Sequence, residues 1–512
     1  MKTRYFKYVY ILLIVLILFI VGSYAFFSWG SNANSNTNVS FDVVAETVYI
    51  EYDAGSDITG ANLYPVDDKS DGISKTITVK TDKVVQSKPV TFNLYLDLTS
   101  VPTALLHSSF KWAVYTGNNL VSSGNLTDST VSCNKNSAVN HIVLFSNEKV
   151  TTTEKKYVLY LWIDGTVNNP DDMMNKSFEF NLHADGNNAL LKSATNILTK
   201  KYENGNKTSI TTAGGEEITQ VVSEGLMQDS FGNIRYYGAN PNNYVTFNGE
   251  SAGWRIIGIF DTEDENGNVS KRVKLIRATS IGSYSYDNKP SGTGTSTSNN
   301  GSNDWADARL MMLLNPGYEN TSSLYAYEGS LYWNRKSGTC YAGASEGTTS
   351  CNFTSTGLIP ATHTQIDKVK YYLGRNVESQ GLYADDYYNL ERGTNIYSGH
   401  HTYWIGYVGL IYPSDYAYAT NLSICDKAGS NYADDTTNCT EKDWLLDNEH
   451  WAWTLSPCSS GDYGASCINT SKNFINNDSA FNIHGVRPVL YLKSEIEIKS
   501  GTGKQSDPYI LG

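Results

Sequence analysis

The chain has 512 residues and a formal net charge of −13. A protein that neutralises nucleic-acid phosphates presents a basic face, and neither the total charge nor any local Lys/Arg run offers one here. We therefore expect no nucleic-acid partner. The apolar fraction of 40% is ordinary for globular proteins, so a chain of this length has material for two or more packed domains.

The first predicted element is an apolar segment near the N-terminus. Residues 8–27 carry no charge, and a helix of that length, rising about 1.5 Å per residue, spans a hydrocarbon core of roughly 30 Å. Lys2, Arg4 and Lys7 precede it without an acidic residue, so the positive-inside rule keeps the N-terminus in the cytoplasm and exports the rest. The pattern predicts a transmembrane anchor or signal segment over residues 1–27.

The same segment also has the features of a cleaved signal peptide. Ser23 and Ala25 supply small residues at the two positions that a signal peptidase reads before a cut. The sequence leaves two alternatives open: a single-pass membrane protein with its N-terminus inside, or a secreted protein released by cleavage near Ala25. In both, the membrane is a partner of the N-terminal helix, and the bulk of the chain lies at the cell surface or beyond it.

A polar spacer and a β-rich domain follow. Residues 31–40 read SNANSNTNVS, a stretch without periodicity that predicts a flexible spacer over residues 28–45. Beyond it, seven runs such as VTFNLYLDL alternate apolar with polar residues and are separated by Gly, Asn, Asp and Pro. Alternation with period two is typical of strands, so the pattern predicts a β-sandwich domain over residues 46–185.

A helical connector is predicted next. The order ALLKSATNILTKK places apolar residues at spacings of three and four, which is typical of an amphipathic helix. Polar, Gly-bearing sequence follows, so we predict a connector over residues 186–228 and a second domain over residues 229–512. In that domain WADARLMMLLN predicts a helix that begins at Asn303 or Asp304. A further helix is predicted over residues 366–373.

The sequence predicts no resident cofactor, although calcium stays open. The acidic connection DTEDENGNVS lies between two strand patterns, whereas an EF-type calcium loop lies between helices, so a hairpin turn is favoured. His400 and His401 are adjacent, and adjacent side chains of a strand point to opposite faces, which disfavours a shared metal. We predict no metal ligands and no catalytic residues, since the serines also lack a GxSxG elbow.

Six of the seven cysteines form three local pairs in Gly-, Ser-, Asn- and Thr-rich sequence. The pairs are Cys340 with Cys351, Cys425 with Cys439, and Cys458 with Cys467. An exported chain meets a non-reducing environment, where closing loops this short contributes roughly 3 kcal/mol each. A metal cluster is disfavoured because no CxxC or HxxxH spacing accompanies them, and free thiols are the other alternative. The pattern predicts three loop-closing disulfides.

An aromatic segment of the second domain supplies the candidate ligand contacts. Residues 412–420 read YPSDYAYAT, and they combine aromatic rings with a carboxylate. Sugars are held by such rings through stacking and by carboxylates through their hydroxyl groups. Packing in a core explains the same aromatics and stays open as the alternative. The predicted ligand-binding residues are Trp404, Tyr412, Asp415 and Tyr416.

The N-terminal motifs resemble a known group of proteins. GSYAFFSW, a polar spacer and a β-sandwich pattern carrying IDG, NNP and MNKSFEF are similar to the TasA/camelysin type of exported Gram-positive matrix proteins. The resemblance covers about the first 185 residues and is a resemblance of pattern. It implies processing by a dedicated signal peptidase and a place in an extracellular matrix.

The second domain resembles other proteins. NIRYYGANPNNYVTFNGE, WADARLMMLLN, WTLSP, GVRPVLYL and SGTGKQSDPYIL resemble an uncharacterised surface-protein family of Gram-positive gut bacteria. The Trp305 helix with WTLSP and GVRPVLYL is also similar to the C-type-lectin-like fold of formylglycine-generating enzymes. That similarity implies an α+β domain with loop-dominated ligand surfaces. The enzymes' copper-binding Cys pair has no matching strand motif here, so their oxidase chemistry is not carried over.

The expected fold class is mainly β with α+β: an N-terminal transmembrane helix, a β-sandwich and a C-type-lectin-like domain. The expected function is a non-enzymatic binding or adhesion protein, with a lectin-like head on a sandwich stalk and host glycans or surface proteins as partners. A structural matrix or fibre component and an oxidase of the formylglycine-generating type are the alternatives.

Overall fold

The computed structural model describes residues 48–54, 64–83, 89–100, 102–127, 140–166, 173, 179–187, 190–289, 301–319, 329–375, 381–446, 451–457, 461–468 and 475–512. The predicted membrane segment and spacer, at residues 1–45, lie outside the described residues. Within the described ranges, no helix is both long and apolar enough to cross a membrane. Strands outweigh helices, so the prediction of a mainly β protein with some helices is confirmed.

The N-terminal strands build two sheets. The strands are β1 (Tyr49–Asp53), β2 (Pro65–Val66), β3 (Ile73–Thr81), β4 (Thr91–Ser100), β5 (Phe110–Thr116), β6 (Asn119–Asn125), β7 (Asn140–Lys149), β8 (Lys155–Asp164), β9 (Glu179–Asn187) and β10 (Leu190–Leu191). One sheet has the order β10-β1-β3-β8-β5-β6, with β2 beside β8, and the other has the order β7-β4-β9.

Alternation along β4 shows why these residues form a shared core. Phe92, Leu94 and Leu96 are buried, so one face of the strand is apolar as the period of two predicts. The ring of Phe145 on β7 lies 5.7 Å from Phe92 and 4.8 Å from Tyr157 on β8. Because β8 belongs to the other sheet, these rings join the two sheets across one core.

The remaining strands begin at residue 208. They are β11 (Thr208–Thr211), β12 (Glu217–Val221), β13 (Leu226–Gln228), β14 (Ile234–Tyr236), β15 (Tyr244–Phe247), β16 (Glu250–Glu263), β17 (Val269–Arg277), β18 (Ser283–Ser285), β19 (Ser337–Tyr341), β20 (Thr348–Asn352), β21 (Val369–Tyr372), β22 (Tyr403–Gly406), β23 (Val408–Gly409), β24 (Ala452–Pro457), β25 (Gly464–Ile468), β26 (Ile475–Ser479), β27 (Ile483–Gly485), β28 (Val489–Tyr491), β29 (Ile498–Ser500) and β30 (Tyr509–Leu511). The α-helices are α1 (Ala194–Glu203), α2 (Arg309–Leu314), α3 (Pro360–His363), α4 (Ala384–Glu391) and α5 (Pro413–Ala419).

A long mixed sheet organises the second part of the chain. Its order is β11-β12-β13-β14-β16-β15-β30-β29, with β17 joining β16 to β28 and β23 beyond β28. A second sheet has the order β18-β27-β24-β25-β26.

The hairpin of β16 and β17 is the predicted one: the Asp264 carboxylate accepts the main-chain N–H groups of Asn266 and Asn268 at 2.8 and 2.9 Å, which closes the turn.

The two helices predicted in the second domain differ in outcome. Asp304 caps a 3-10 turn over Trp305–Asp307, and α2 continues after Ala308, so the predicted start at Asn303 or Asp304 is confirmed. The helix predicted over residues 366–373 is wrong, because β21 occupies it and pairs with β22. Its residues fit both periods, and pairing with a partner strand decided between them.

The region predicted as a helical connector contains more than a helix. Within residues 186–228, α1 follows β10, and β11 and β12 then form the edge of the long sheet. The main-chain N–H of Ala194 donates to the main-chain carbonyl of Ile496 at 2.7 Å. The main-chain N–H of Tyr52 donates to the Glu497 carboxylate at 3.0 Å. The domain limits stay predictions.

Two of the three predicted disulfides are present. Cys340 bonds to Cys351 across β19 and β20, and Cys425 bonds to Cys439. The predicted partner of Cys467, Cys458, lies outside the described residues, so the third pairing stays a prediction. Cys467 itself is buried on β25.

Replacing Cys425 and Cys439 together with Ala is expected to lower the free energy of unfolding by about 3 kcal/mol, because the opened loop regains its freedom in the unfolded chain. Urea denaturation without reductant measures the loss. In reducing buffer the variant and the parent should unfold alike, since both then lack this bond. A loss that persists under reduction would instead be due to packing of the two buried sulfur atoms.

Candidate functional site

Three of the four predicted ligand residues lie at the start of a buried helix. Tyr412 precedes α5, and Asp415 and Tyr416 belong to it, so the segment predicted to supply ligand contacts is helical and buried. Pro413 occupies the first helical position, where its fixed φ suits the helix. The Asp415 carboxylate accepts the main-chain N–H of Tyr412 at 3.1 Å, which satisfies a donor that the helix leaves free.

Asp415 is the centre of a buried charge cluster. Its Oδ1 accepts from Arg235 Nη1 at 2.9 Å, and its Oδ2 contacts Lys274 Nζ. Arg235 Nε also pairs with Asp229 at 2.7 Å, so two cations meet two carboxylates, each side chain at most 1% exposed. Burial alone would raise the pKa of Asp415, but Lys274 and Arg235 outweigh it and hold that pKa below its usual range.

Aromatic rings enclose the same cluster. The Arg235 guanidinium lies 4.3 Å from the ring centre of Tyr418 and 4.7 Å from that of Phe260, and Lys274 Nζ lies 4.5 Å from that of Tyr412. These rings stabilise buried cations through their negative faces. The contacts give Tyr412 and Asp415 a packing and charge-pairing role, and ligand binding by them or by Tyr416 stays a prediction.

Trp404 is the predicted ligand residue nearest to solvent. Its side chain, on β22, is partly buried, and its ring lies 6.1 Å from that of Trp305 and 5.5 Å from that of Tyr371. The neighbouring Tyr403 is exposed. Ligand contact by Trp404 is thus compatible with its position and stays a prediction.

Two carboxylates and an imidazole meet close to Trp404. One ligand-type atom each of Asp304, Asp307 and His401 lie within 4.8 Å of one another. His401 Nδ1 and its main-chain N–H bind Asp304 Oδ2 at 2.8 and 3.1 Å. The hydrogen bond to Asp304 raises the pKa of His401. The adjacent histidines were predicted to lie on a strand, but β22 begins only at Tyr403.

A depression that we call the polar depression, after the polar side chains that line it, lies where β15 and β30 of the long sheet begin. It has a volume of about 520 Å³ and is lined by Asn240, Asn242, Tyr244, Lys504, Gln505 and Ser506. Parallel pairing of β15 with β30 brings the two lining segments together, and Tyr244 N–H donates to the Gly503 carbonyl at 2.8 Å. Gly503 has a φ of +79°, and a Cβ there would approach the Asn242 carbonyl to 2.2 Å, so the close approach requires glycine.

A buried arginine supports the floor of this depression. The Arg255 guanidinium lies 4.1 Å from the ring centre of Tyr244, and its Nη2 donates to Asn240 Oδ1 at 3.4 Å. Tyr244 Oη donates to the same Asn240 oxygen at 3.1 Å. The depression therefore presents a held aromatic ring together with amide, hydroxyl and ammonium groups, the side-chain types that orient polar ligands.

The sequence predictions did not include this depression. Runs such as ANPNNY and TGKQSD indicate turns, and surface loops are where binding residues concentrate. The local pattern does not say that β15 and β30 pair, since about 260 residues separate them along the chain.

No protein-family model matches the sequence, and no curated protein matches it either. The candidate sites therefore rest on geometry, and the resemblances to other proteins stay predictions.

Proposed function

We propose that the chain is a cell-surface or secreted, non-enzymatic binding or adhesion protein. In this proposal residues 46–185 form a β-sandwich stalk, residues 229–512 form a C-type-lectin-like head, and residues 1–27 anchor the chain or direct its export. The mainly β fold and the disulfides that close Cys340–Cys351 and Cys425–Cys439 support it, since disulfides persist outside reducing compartments.

The ligand that we propose is a glycan, held in the polar depression of the head. The observation that carries this proposal is the lining of the depression, in which Asn240, Asn242, Lys504, Gln505 and Ser506 surround one space together with Tyr244. Sugars present hydroxyl groups to polar side chains and C–H faces to aromatic rings, so this set matches both.

Lys504, Gln505 and Ser506 are exposed, so a ligand reaches them from solvent. Tyr244 is partly buried and is held by Arg255 and Asn240, so little conformational entropy is lost when a sugar stacks on it. The depression is open, which suits an oligosaccharide end better than a small molecule that is buried on all sides.

Screening the full chain on a glycan array is expected to give binders, and the double variant Asn242→Ala, Gln505→Ala is expected to weaken the best binder about tenfold or more. Tenfold corresponds to about 1.4 kcal/mol, the size of one or two lost hydrogen bonds. Surface plasmon resonance on the selected glycan measures the change. Asn389→Ala, an exposed amide on α4, is the matched control and should bind like the parent.

Other outcomes identify the alternatives. If Trp404→Ala abolishes glycan binding while the double variant does not, the site predicted from the sequence is the correct one. A chain that binds no glycan but polymerises as its concentration rises would be a matrix or fibre component. Copper-dependent oxidation of a cysteine peptide would instead indicate an enzyme of the formylglycine-generating type.

A further inference from the structure

The cluster of Asp304, Asp307 and His401 gathers metal-ligand atoms from three side chains in one place. With metal–ligand bonds of about 2.0–2.2 Å, neighbouring ligand atoms of one ion lie roughly 3 to 4 Å apart. The three atoms here lie within 4.8 Å of one another, and His401 Nδ1 and Asp304 Oδ2 are 2.8 Å apart. The shorter separation lies below that range and the upper bound lies above it, so the exposed Asp307 and His401 side chains have to adjust when an ion binds.

The local fold brings the two carboxylates together. Asp304 caps the 3-10 turn Trp305–Asp307 and Asp307 is its last residue, so one short turn carries both carboxylates. The cap bond from the Ala306 main-chain N–H and the bond from the His401 main-chain N–H, both at 3.1 Å, hold Asp304 in place, and the ion would replace the proton between His401 Nδ1 and Asp304. Asp304 is buried whereas Asp307 and His401 are exposed, so the cluster has one fixed ligand and an open side for entry of an ion.

A second, independent feature near the cluster is a buried carboxylate that lacks a counter-charge within the described part of the chain. Asp462 is 3% exposed, and its Oδ1 has no hydrogen-bond partner among the described residues. The main-chain carbonyl of Asp462 accepts the main-chain N–H of Asn303 at 2.7 Å. Asp462 therefore lies beside the residue that precedes Asp304.

A buried carboxylate oxygen without a hydrogen-bond partner is destabilising unless a cation or a proton offsets its charge. Lys289 donates to the main-chain oxygen of Asp307 and anchors that turn. A divalent ion held by Asp304, Asp307 and His401 would bring positive charge into the neighbourhood of Asp462.

The ligand set favours one class of ion. Ca²⁺ and Mg²⁺ prefer oxygen ligands only, whereas imidazole with carboxylates suits Zn²⁺ and its neighbours in the first transition row. We propose that Asp304, Asp307 and His401 bind one divalent transition-metal ion, represented by Zn²⁺, next to Trp404. This proposal is independent of the glycan site, because it involves other residues and another chemistry.

The test is a titration of the full chain, stripped of metal with a chelator, with ZnCl₂ in a calorimeter. One equivalent of Zn²⁺ is expected to bind at micromolar concentration or below. Asp307→Asn and His401→Gln, both at exposed positions, are each expected to weaken binding at least tenfold. Asp71→Asn, an exposed carboxylate of the N-terminal part, is the matched control and should leave the affinity unchanged.

Parallel titration with CaCl₂ tests the class of ion, and circular dichroism confirms that each variant is folded. The proposal is overturned if the parent binds no Zn²⁺ below millimolar concentration, or if Ca²⁺ binds more tightly than Zn²⁺. It is equally overturned if Zn²⁺ binds but Asp307→Asn and His401→Gln both retain the parent affinity, because the ion then lies elsewhere.

Discussion

Replacing Asp415 with Asn is expected to lower the free energy of unfolding by about 3–5 kcal/mol, the range for removing one partner of a buried ion pair. Asp415 pairs with both Arg235 and Lys274, and all three side chains are at most 1% exposed. The amide keeps the shape of the carboxylate but not its charge, so the loss is chiefly electrostatic.

Lys274 is the residue that this change leaves without a counter-charge. Arg235 keeps its bond to Asp229, at 2.7 Å, whereas Asp415 is the carboxylate in contact with Lys274 Nζ. Burial already lowers the pKa of Lys274 despite the opposing effect of Asp415. Without that carboxylate the ammonium loses its proton more easily, and the energy of that deprotonation is part of the expected loss.

Guanidinium denaturation of parent and variant measures the change. Asp426→Asn is the matched control, since its side chain is 74% exposed and lies 3.8 Å from Lys427, and an exposed pair of this kind contributes about 0–1 kcal/mol. A second variant, Lys274→Met with Asp415→Asn, should recover part of the stability, because it removes the buried unpaired charge. An Asp415→Asn chain that keeps its stability but loses attachment to a glycan or cell would instead support the ligand role predicted from the sequence.

Much of the local structure was readable because it depends on nearby residues. The period of two in VTFNLYLDL predicts the buried face of β4, and the Asp264 turn follows from residues within the hairpin. Arg487 lies between apolar residues, a pattern typical of a buried arginine, and it donates to the main-chain carbonyl oxygens of Arg277 at 3.1 Å and Leu445 at 2.6 Å. The two disulfides could be predicted for the same reason, because the paired cysteines are only 11 and 14 positions apart.

Structural features that depend on residues far apart in the chain could not be predicted from the local sequence. Asp415 meets Arg235 and Lys274, which are 180 and 141 positions away, so its tyrosine-rich segment resembled an exposed binding loop. A local signal did exist: Pro413 at the first helical position and Asp415 two residues later are typical of a helix start. At β21 the local pattern fitted helix and strand equally, and only the register with β22 separates the two.

The second large effect is expected in the pH dependence of stability, and it arises at Asp443. This carboxyl group is buried, its Oδ1 accepts the main-chain N–H of Leu445 at 2.8 Å, and its Oδ2 has no hydrogen-bond partner among the described residues. Burial raises its pKa from 3.8 to about 8, although hydrogen bonds from Leu445 and Leu446 and the charge of Arg487 oppose the rise.

The sign of the effect follows from linkage. The folded protein holds this proton up to about pH 8, whereas the unfolded chain releases it near pH 3.8. The stabilising contribution of the neutral acid is complete below the unfolded pKa, is lost as the pH rises, and is gone above the folded pKa. At about 1.4 kcal/mol for each unit of pKa difference, the loss between pH 4 and pH 8 is on the order of 5 kcal/mol.

Asp443→Asn isolates this contribution, because an amide does not titrate in this range. At pH 4 the variant and the parent should be about equally stable, and at pH 8 the variant should be the more stable by several kcal/mol. Urea denaturation at a series of pH values measures the difference between the two curves. Burial raises the pKa of Glu391 to about 7, so this residue also makes the free energy of unfolding depend on pH. That dependence is the same in both proteins and cancels in the difference between them. A difference that does not change with pH would mean that Asp443 is ionised in the folded protein and paired with Arg487.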